Sequence, residues 1–380
     1  VAAEDIEARF HAAFDAAALP GPGDGALEER LGALLEVVRP VDREASHVAR
    51  ERWDSVAKPL GGLGLLEEAV TRMAGAQGTP DVVSEPRALA IFIADNGVVA
   101  EGVSQSGQDV TWTAARNMAA GAASVCRMAR VAGCAVVPVD VGLARELTCE
   151  GLYDAACVRG TADIACGPAM SRSCAVATIL AGATVARLLA EGGARLLAAG
   201  EMGIGNTTTS AAVACALLGI APEDAVGRGA GLSDEGLRRK RAVVTRALAV
   251  NAPDPADPVG VLASVGGLDL CAMCGFYLGA AASRCPAVLD GVISCTAAAV
   301  ASALRPDTRD YLLASHCSSE PAARLLLGRL GLSAPLEAGM HLGEGTGAVA
   351  LMPLLDQALA VYREAATFDE SGLDAYEELS

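Results

Sequence analysis

The stretch LLAAGEMGIGNTTTSAAVACALLG, residues 196–219, decides the fold. Leu196 to Ala199 read as a short apolar strand, and the alanine-rich run after Ser210 reads as a helix. Between them, GEMGIGNTTTS (Gly200 to Ser210) is a strand-to-helix turn whose glycines permit tight backbone, with Asn206 or Thr207 as the expected helix cap. The first N–H groups of such a helix lack internal partners, so the turn is a ready anion site. Glu201, set at the end of an apolar strand, is expected to be buried and favours a functional reading of the turn over a merely structural one.

The same alternation extends in both directions. Further strands are predicted at Leu89 to Ala94, Ala135 to Val141, Ala287 to Ile293 and Tyr311 to Ala314, separated by longer helical stretches. Repeated βα units predict a doubly wound, mainly parallel α/β sheet flanked by helices. The strand endings are Asp95-Asn96-Gly97, Gly142, Gly200 to Gly203, Ser294 to Thr296 and Ser315-His316. Open α/β sheets bind ligands beyond these carboxyl ends, so the site is expected there. Two more glycine clusters, Gly227 to Gly231 and Gly343-Glu344-Gly345-Thr346-Gly347, offer backbone N–H groups at close range, the second with a carboxylate between glycines. That carboxylate reads equally as a positioned base or as a surface Glu at a helix start.

Composition limits the partners. The chain has 380 residues, 52% of them hydrophobic but only 3% aromatic, so its helices are expected to pack closely on small side chains. A net charge of -17 repels a nucleic-acid backbone, while a local pocket can still hold a small phosphorylated substrate. The longest apolar runs noted, Leu270 to Ser283 and Gly291 to Leu304, fall short of the roughly 18 residues of a membrane span. Acidic Glu4, Asp5 and Glu7 argue against a secretory signal, and a cytoplasmic protein is expected. The 12 cysteines, Cys215 in AAVACALLG among them, read as reduced core residues, and Cys271 with Cys274 forms a CxxC without a second ligand pair. No P-loop, complete GxGxxG or acidic-pair phosphoribosyl pyrophosphate loop is present, and nothing calls for a metal or cofactor.

Nine blocks in order carry a more specific signal. They are KPLGGLGLLE from Lys58, IADNGVVAEGVS from Ile93, GTADIACGPAM from Gly160, GEMGIGNTT from Gly200, VGRGAGLSDEGLRRK from Val226, VGGLDL from Val265, VLDGVIS from Val288, ASHCSSEP from Ala314 and HLGEGTGA from His341. From about Arg52 to Phe368 the chain resembles the nicotinate-nucleotide:dimethylbenzimidazole phosphoribosyltransferases, which activate the lower base of cobamides. The resemblance implies a homodimer that takes nicotinate mononucleotide and a benzimidazole-like base. It also implies an α/β domain over 86–335 and a smaller helical domain made from 1–85 and 336–380.

It implies roles residue by residue. Glu344 matches the catalytic base and Glu201 a second active-site carboxylate. Lys240 and the glycine-rich segments, with Gly203, Gly205, Asn206, Thr207, Gly343 and Gly345, match the phosphate side. Ser104 and Met202 match the base pocket, and Asp290 and Ser315 border the ribosyl site. Asn96 stands where the family usually has histidine, His341 where it often has arginine, and the segment Ser104 to Trp112 lacks the usual Tyr-Pro; Leu60 and Gly62 also depart. These departures bear on the acceptor base more than on the reaction. Adjacent His316 and Cys317 are expected to face opposite ways, which argues against a nucleophile pair. Two alternatives stay open: the same chemistry with adenine, a phenol or another benzimidazole as acceptor, and a non-catalytic nucleotide-binding partner subunit.

Overall fold

The computed structural model describes residues 3–376. Its sheet has six strands: β1 (Arg87–Ala94), β2 (Cys134–Gly142), β3 (Tyr153–Asp154), β4 (Leu196–Met202), β5 (Ala287–Leu289) and β6 (Leu312–Ala314). They lie in the order β3-β2-β1-β4-β5-β6 and every pairing is parallel. The doubly wound α/β expectation holds. The chain winds outward in one direction from β1 and in the other from β4, so the strand order reverses between these two central strands, where such sheets open a crevice.

β1 shows how the sequence builds the two layers. All eight of its residues are buried. Ala88, Ala90, Phe92 and Ala94 join one core, with the helices Arg172–Glu191 and Leu268–Ala282. Leu89, Ile91 and Ile93 join the other, with Trp53, Met73 and Leu351. The period-two alternation of a strand covered on both faces explains its unbroken apolar run. Small residues set the helix spacing as expected: a Cβ on Gly182 would run into the Ala272 carbonyl, and one on Gly275 into that of Ile179.

Four details differ from the sequence reading. β3 was not expected; two residues paired with Val139 and Asp140 carry no periodicity to read. β5 stops at Leu289 rather than running to Ile293, because Asp290-Gly291 ends the strand and the helix Val292–Leu304 begins. Gly205, with φ 96°, caps the helix Asn206–Leu218, so neither Asn206 nor Thr207 is the cap. The helix Arg172–Glu191, 20 residues, is long and apolar enough to cross a membrane, longer than either run singled out above. It is apolar on most sides because it is a core helix, with 78% of its apolar window buried.

The two ends of the chain meet. Arg52 Nε donates to the Tyr362 carbonyl (2.8 Å), the Trp53 and Tyr362 rings lie 5.0 Å apart, and Val56 bridges Thr367. The first helix, Ala3–Asp15, covers the β2–β3 edge: Glu7 accepts from the Val136 N–H (3.0 Å), and Phe10 and Phe14 pack on Tyr153.

Candidate active site

A cavity of about 280 Å³ opens at the carboxyl ends of β4, β5 and β6. β4 and its turn supply Glu201, Met202, Gly203, Asn206 and Thr207. Gly229 and Ala230, Asp290 to Ser294, His316, Ser318 and Glu320 complete one part of the wall, and His341 to Glu344 the other. A second cavity of about 520 Å³ lies between the helices Leu27–Val37, Arg172–Glu191 and Leu268–Ala282 and contains none of these sheet-end groups.

The segment carrying Glu344 is bent into an uncommon shape. Gly343, Glu344 and Gly345 have φ of 80°, 63° and 90°, three left-handed residues in succession. A non-glycine residue there costs about 1 kcal/mol or more, and such strain collects at functional sites. A Cβ on Gly343 would stand 2.6 Å from Glu201 Oε1, so a side chain there would displace that carboxyl group. Thr346 closes the bend by donating its N–H (3.0 Å) and hydroxyl (2.8 Å) to the Gly343 carbonyl, and Asp290 braces it. Asp290 Oδ2 accepts from the Gly345 N–H (3.0 Å), and its Oδ1 accepts from Gly347 (2.7 Å) and Ala348 (3.3 Å), at the start of the helix Thr346–Glu364. The Asp290 carboxylate is therefore engaged with backbone, with His316 Nδ1 3.9 Å from it.

The carboxyl groups raise one another. Glu201 is pushed up to about 8, first by burial and then by Asp269 and Asp290, while the Asn206 amide, which donates to Glu201 Oε2, holds it down in part. Burial lifts Asp269 to about 6 against the Leu270 N–H and the Asn206 and Asn96 amides. Glu344 is also lifted by burial, opposed by the Val125 N–H, which points at Glu344 Oε2 (3.4 Å) from the first turn of the helix Ser124–Val131. At neutral pH burial and the neighbouring carboxyl groups thus favour a proton on Glu201.

A cationic group stands behind the wall. Lys240 is wholly buried, donating to Thr207 Oγ1 (2.8 Å) and to the Gly227 carbonyl (3.2 Å). Burial lowers it to about 8, and Glu320 works against that drop. Glu320 Oε1 also accepts from the Gly229 N–H (2.8 Å), fixing the glycine cluster.

Of the residues singled out from sequence, Glu201, Met202, Gly203, Asn206, Thr207, Asp290, Gly343 and Glu344 meet on the wall. Gly205, Lys240, Ser315 and Gly345 lie behind it; Ser315 Oγ donates to the Asp290 carbonyl (3.4 Å). Ser104 is off the wall, its hydroxyl accepting from the Ser106 N–H (3.2 Å). Trp112 is stacked by Arg145 and Arg116 at 4.7 and 5.5 Å and does not line the cavity. Asp269 had no role in the sequence reading, although a lone acid in the apolar run 268–282 signals a buried charge with a purpose. Among the described residues, one cluster has metal-ligand spacing, Glu101, Asp163 and Cys166; it lies off the cavity wall, and Glu101 is ion-paired with Arg246.

The profile of a family described as phosphoribosyltransferase matches residues 38–373. The nicotinate-nucleotide–dimethylbenzimidazole phosphoribosyltransferase of Desulforudis audaxviator is 44% identical over 344 residues, covering 90% of this chain and 98% of that protein. This chain belongs to that phosphoribosyltransferase family. The enzyme of the same name from Acetivibrio thermocellus is 40% identical over 343 residues, again covering 90% of this chain and 98% of its own length. The crystal structure of CobT from Thermus thermophilus superposes with a TM-score of 0.83 at 45% identity, covering 88% of this chain and all of that one. Residues 1–37, with the helices Ala3–Asp15 and Leu27–Val37, precede the match to the phosphoribosyltransferase profile.

Proposed function

We propose that this chain moves ribose 5-phosphate from nicotinate mononucleotide to 5,6-dimethylbenzimidazole or a related base, giving the α-riboside phosphate and nicotinate for the nucleotide loop of cobamides. The observation that carries the reading is the strained loop that holds Glu344 beside Glu201 in the cavity at the strand ends. The bond from the anomeric carbon to the pyridinium nitrogen breaks, and its electron pair neutralises that nitrogen, so nicotinate leaves without a proton or a Lewis acid. A cationic pyridinium brought against Glu201 lowers its proton affinity, so its proton passes to solvent as the nucleotide binds and a carboxylate faces the oxocarbenium-like ribose. One ring nitrogen of the base bonds to that carbon from the opposite face, and Glu344 takes the proton from the other.

The N-termini of the helices Asn206–Leu218 and Val292–Leu304, with Lys240 behind Thr207, suit the 5′-phosphate. Among the described residues no Phe, Tyr or Trp lines the cavity, and Met202, Ile204, Val292, Ile293 and Leu342 are its larger apolar surfaces. That supports tolerance for acceptors other than dimethylbenzimidazole. The reading extends to a cytoplasmic homodimer, and to a small helical unit of 1–85 and 336–380 beside an α/β unit of 86–335. The Arg52 and Trp53 contacts to Tyr362 support the small unit.

Incubation with nicotinate mononucleotide and a panel of bases tests the proposal. Nicotinate release is expected to depend on added base and to survive a metal chelator. Release at the same rate without any acceptor, or a strict magnesium requirement, refutes it.

A further inference from the structure

We propose that Cys157 and Cys174 form a reversible disulfide site, closed by a peroxide or a small disulfide oxidant, that staples the segment after β3 to the start of the helix Arg172–Glu191. The two sulfurs lie 3.2 Å apart and all 12 cysteines are free. Cys157 is half-buried in the connecting segment, Cys174 is buried in the first turn of a 20-residue helix, and the Thr178 hydroxyl is 3.2 Å from Cys157 Sγ. Bonded sulfurs stand about 2.0 Å apart, so closing the bond asks the pair to approach by about 1.2 Å.

The surroundings select this pair over the other thiols. Contact with the Cys174 sulfur first, and with the Thr178 hydroxyl, outweighs burial and holds Cys157 below the usual thiol range, while the same contact raises Cys174. The helix N-terminus beside them favours negative charge on the pair. By contrast, burial pushes Cys134, Cys215, Cys285 and Cys295 up to about 12, and Asp163 raises the exposed Cys166. The Cys157 thiolate attacks a peroxide oxygen and the O–O bond breaks, giving the sulfenic acid and an alkoxide or hydroxide that takes a proton from solvent to leave as alcohol or water. Cys174 sulfur then displaces the hydroxyl, which leaves as water with the Cys174 proton.

The staple bears on the site through its neighbours. Arg159 pairs with Asp140 (2.7 Å) and Asp154 (2.8 Å), the Gly160 N–H donates to the Gly142 carbonyl (3.1 Å), and Thr161 Oγ1 accepts from the Gly97 N–H (3.0 Å). A bond at Cys157 fixes one end of the segment that supports the end of β1.

The test is treatment of the full chain with limiting hydrogen peroxide, alkylation, and a non-reducing tryptic map. The expected product links the peptide 146–159 to the peptide 173–187, and fragmentation assigns the bond to Cys157 rather than Cys149. Linking residues 17 positions apart should raise the unfolding temperature by about 4 °C, reversed by dithiothreitol. Cys157→Ser, a half-buried position, should lose both the linked peptide and the rise. Oxidation that falls first on Cys166 or Cys317, or a linked peptide through Cys149, overturns the proposal.

Discussion

Gly200→Ala tests how tightly the Glu344 loop is placed. Gly200 sits inside β4, where alanine meets no backbone strain, so any effect comes from the added methyl group. That methyl would stand 2.5 Å from the Glu344 carbonyl carbon, 2.6 Å from the Gly345 nitrogen, and against the Glu344 oxygen. An ordinary contact begins at about 3.4 Å, so the loop must retreat by roughly 0.9 Å. All three obstacles are backbone atoms, and Asp290 ties Gly345 and Gly347 in place, so no side chain can turn away to absorb the move. Overpacking of this kind costs about 1–3 kcal/mol of stability. A displacement near 1 Å of a reacting group costs about 10²-fold in rate. We expect the turnover number for base-dependent nicotinate release to fall about a hundredfold, with KM for the nucleotide little changed. Gly167→Ala, where a Cβ meets nothing within 4 Å, is the control and should be silent. A folded Gly200→Ala protein with wild-type turnover would show that Glu344 does not act from this loop position.

Glu344→Gln keeps the shape and loses the basicity; turnover should drop by about 10²- to 10⁴-fold with affinity retained and with partial recovery on a base whose N–H is more acidic. Near wild-type rates would move the base role elsewhere. Lys240→Met keeps the buried stem and removes the charge, and should raise KM for nicotinate mononucleotide while leaving base binding alone; an unchanged KM takes Lys240 off the nucleotide side. Glu201 predicts a pH dependence of stability. Its folded value of about 8 lies above the ordinary 4.5, so the folded protein retains a proton that the unfolded chain releases. This contribution is full below pH 4.5 and is lost as pH rises through 8, a loss of order a few kcal/mol. Glu201→Gln should therefore flatten the slope of melting temperature between about pH 5 and 8, and an unaltered slope in the variant would refute the assignment.

The parts of the molecule that could be read in the sequence are those with a period or a backbone constraint. β1 and β4 announced themselves as apolar runs ending in polar turns. The left-handed bend at Glu344 was foreshadowed by glycines on both sides, because few other residues tolerate that backbone. Lys240 was legible in a further way. On the helix Asp234–Asn251 the buried residues are Gly236, Lys240, Val243, Val244 and Ala247, the spacing of one helical face. Its neighbours Arg238 and Arg239 fall on the wet side. β3, with only Tyr153 and Asp154, escaped because two residues cannot show alternation. The engagement of Asp290 with three backbone N–H groups escaped too, since the carboxylate and its partners are more than fifty positions apart. The capping role of Gly205 was hidden by better capping side chains next to it; Asn206 is instead drawn to Glu201 and Thr207 to Lys240.

Those two pairings explain how a chain of net charge -17 can receive an anionic nucleotide beside several carboxyl groups. The charged group that acts on Lys240 is Glu320, whereas the charged groups that raise Glu201 are Asp269, Asp290 and Glu344. The lysine and the carboxyl cluster thus answer to different leading partners, though they are anchored by consecutive residues, Thr207 and Asn206, of one helix start. In the proposed reaction the substrate is itself divided, with a negative phosphate at one end and a positive pyridinium at the other. A single neutral pocket would gain nothing from that division. A pocket with N–H groups and a lysine on one side, and on the other a buried Glu201 whose proton is released against a cation, lowers its own desolvation penalty until the cationic ring arrives. The raised value of Glu201 then has a use in the proposed reaction: burial first, and its acidic neighbours second, favour the neutral carboxyl, which becomes charged where positive charge develops in the transition state.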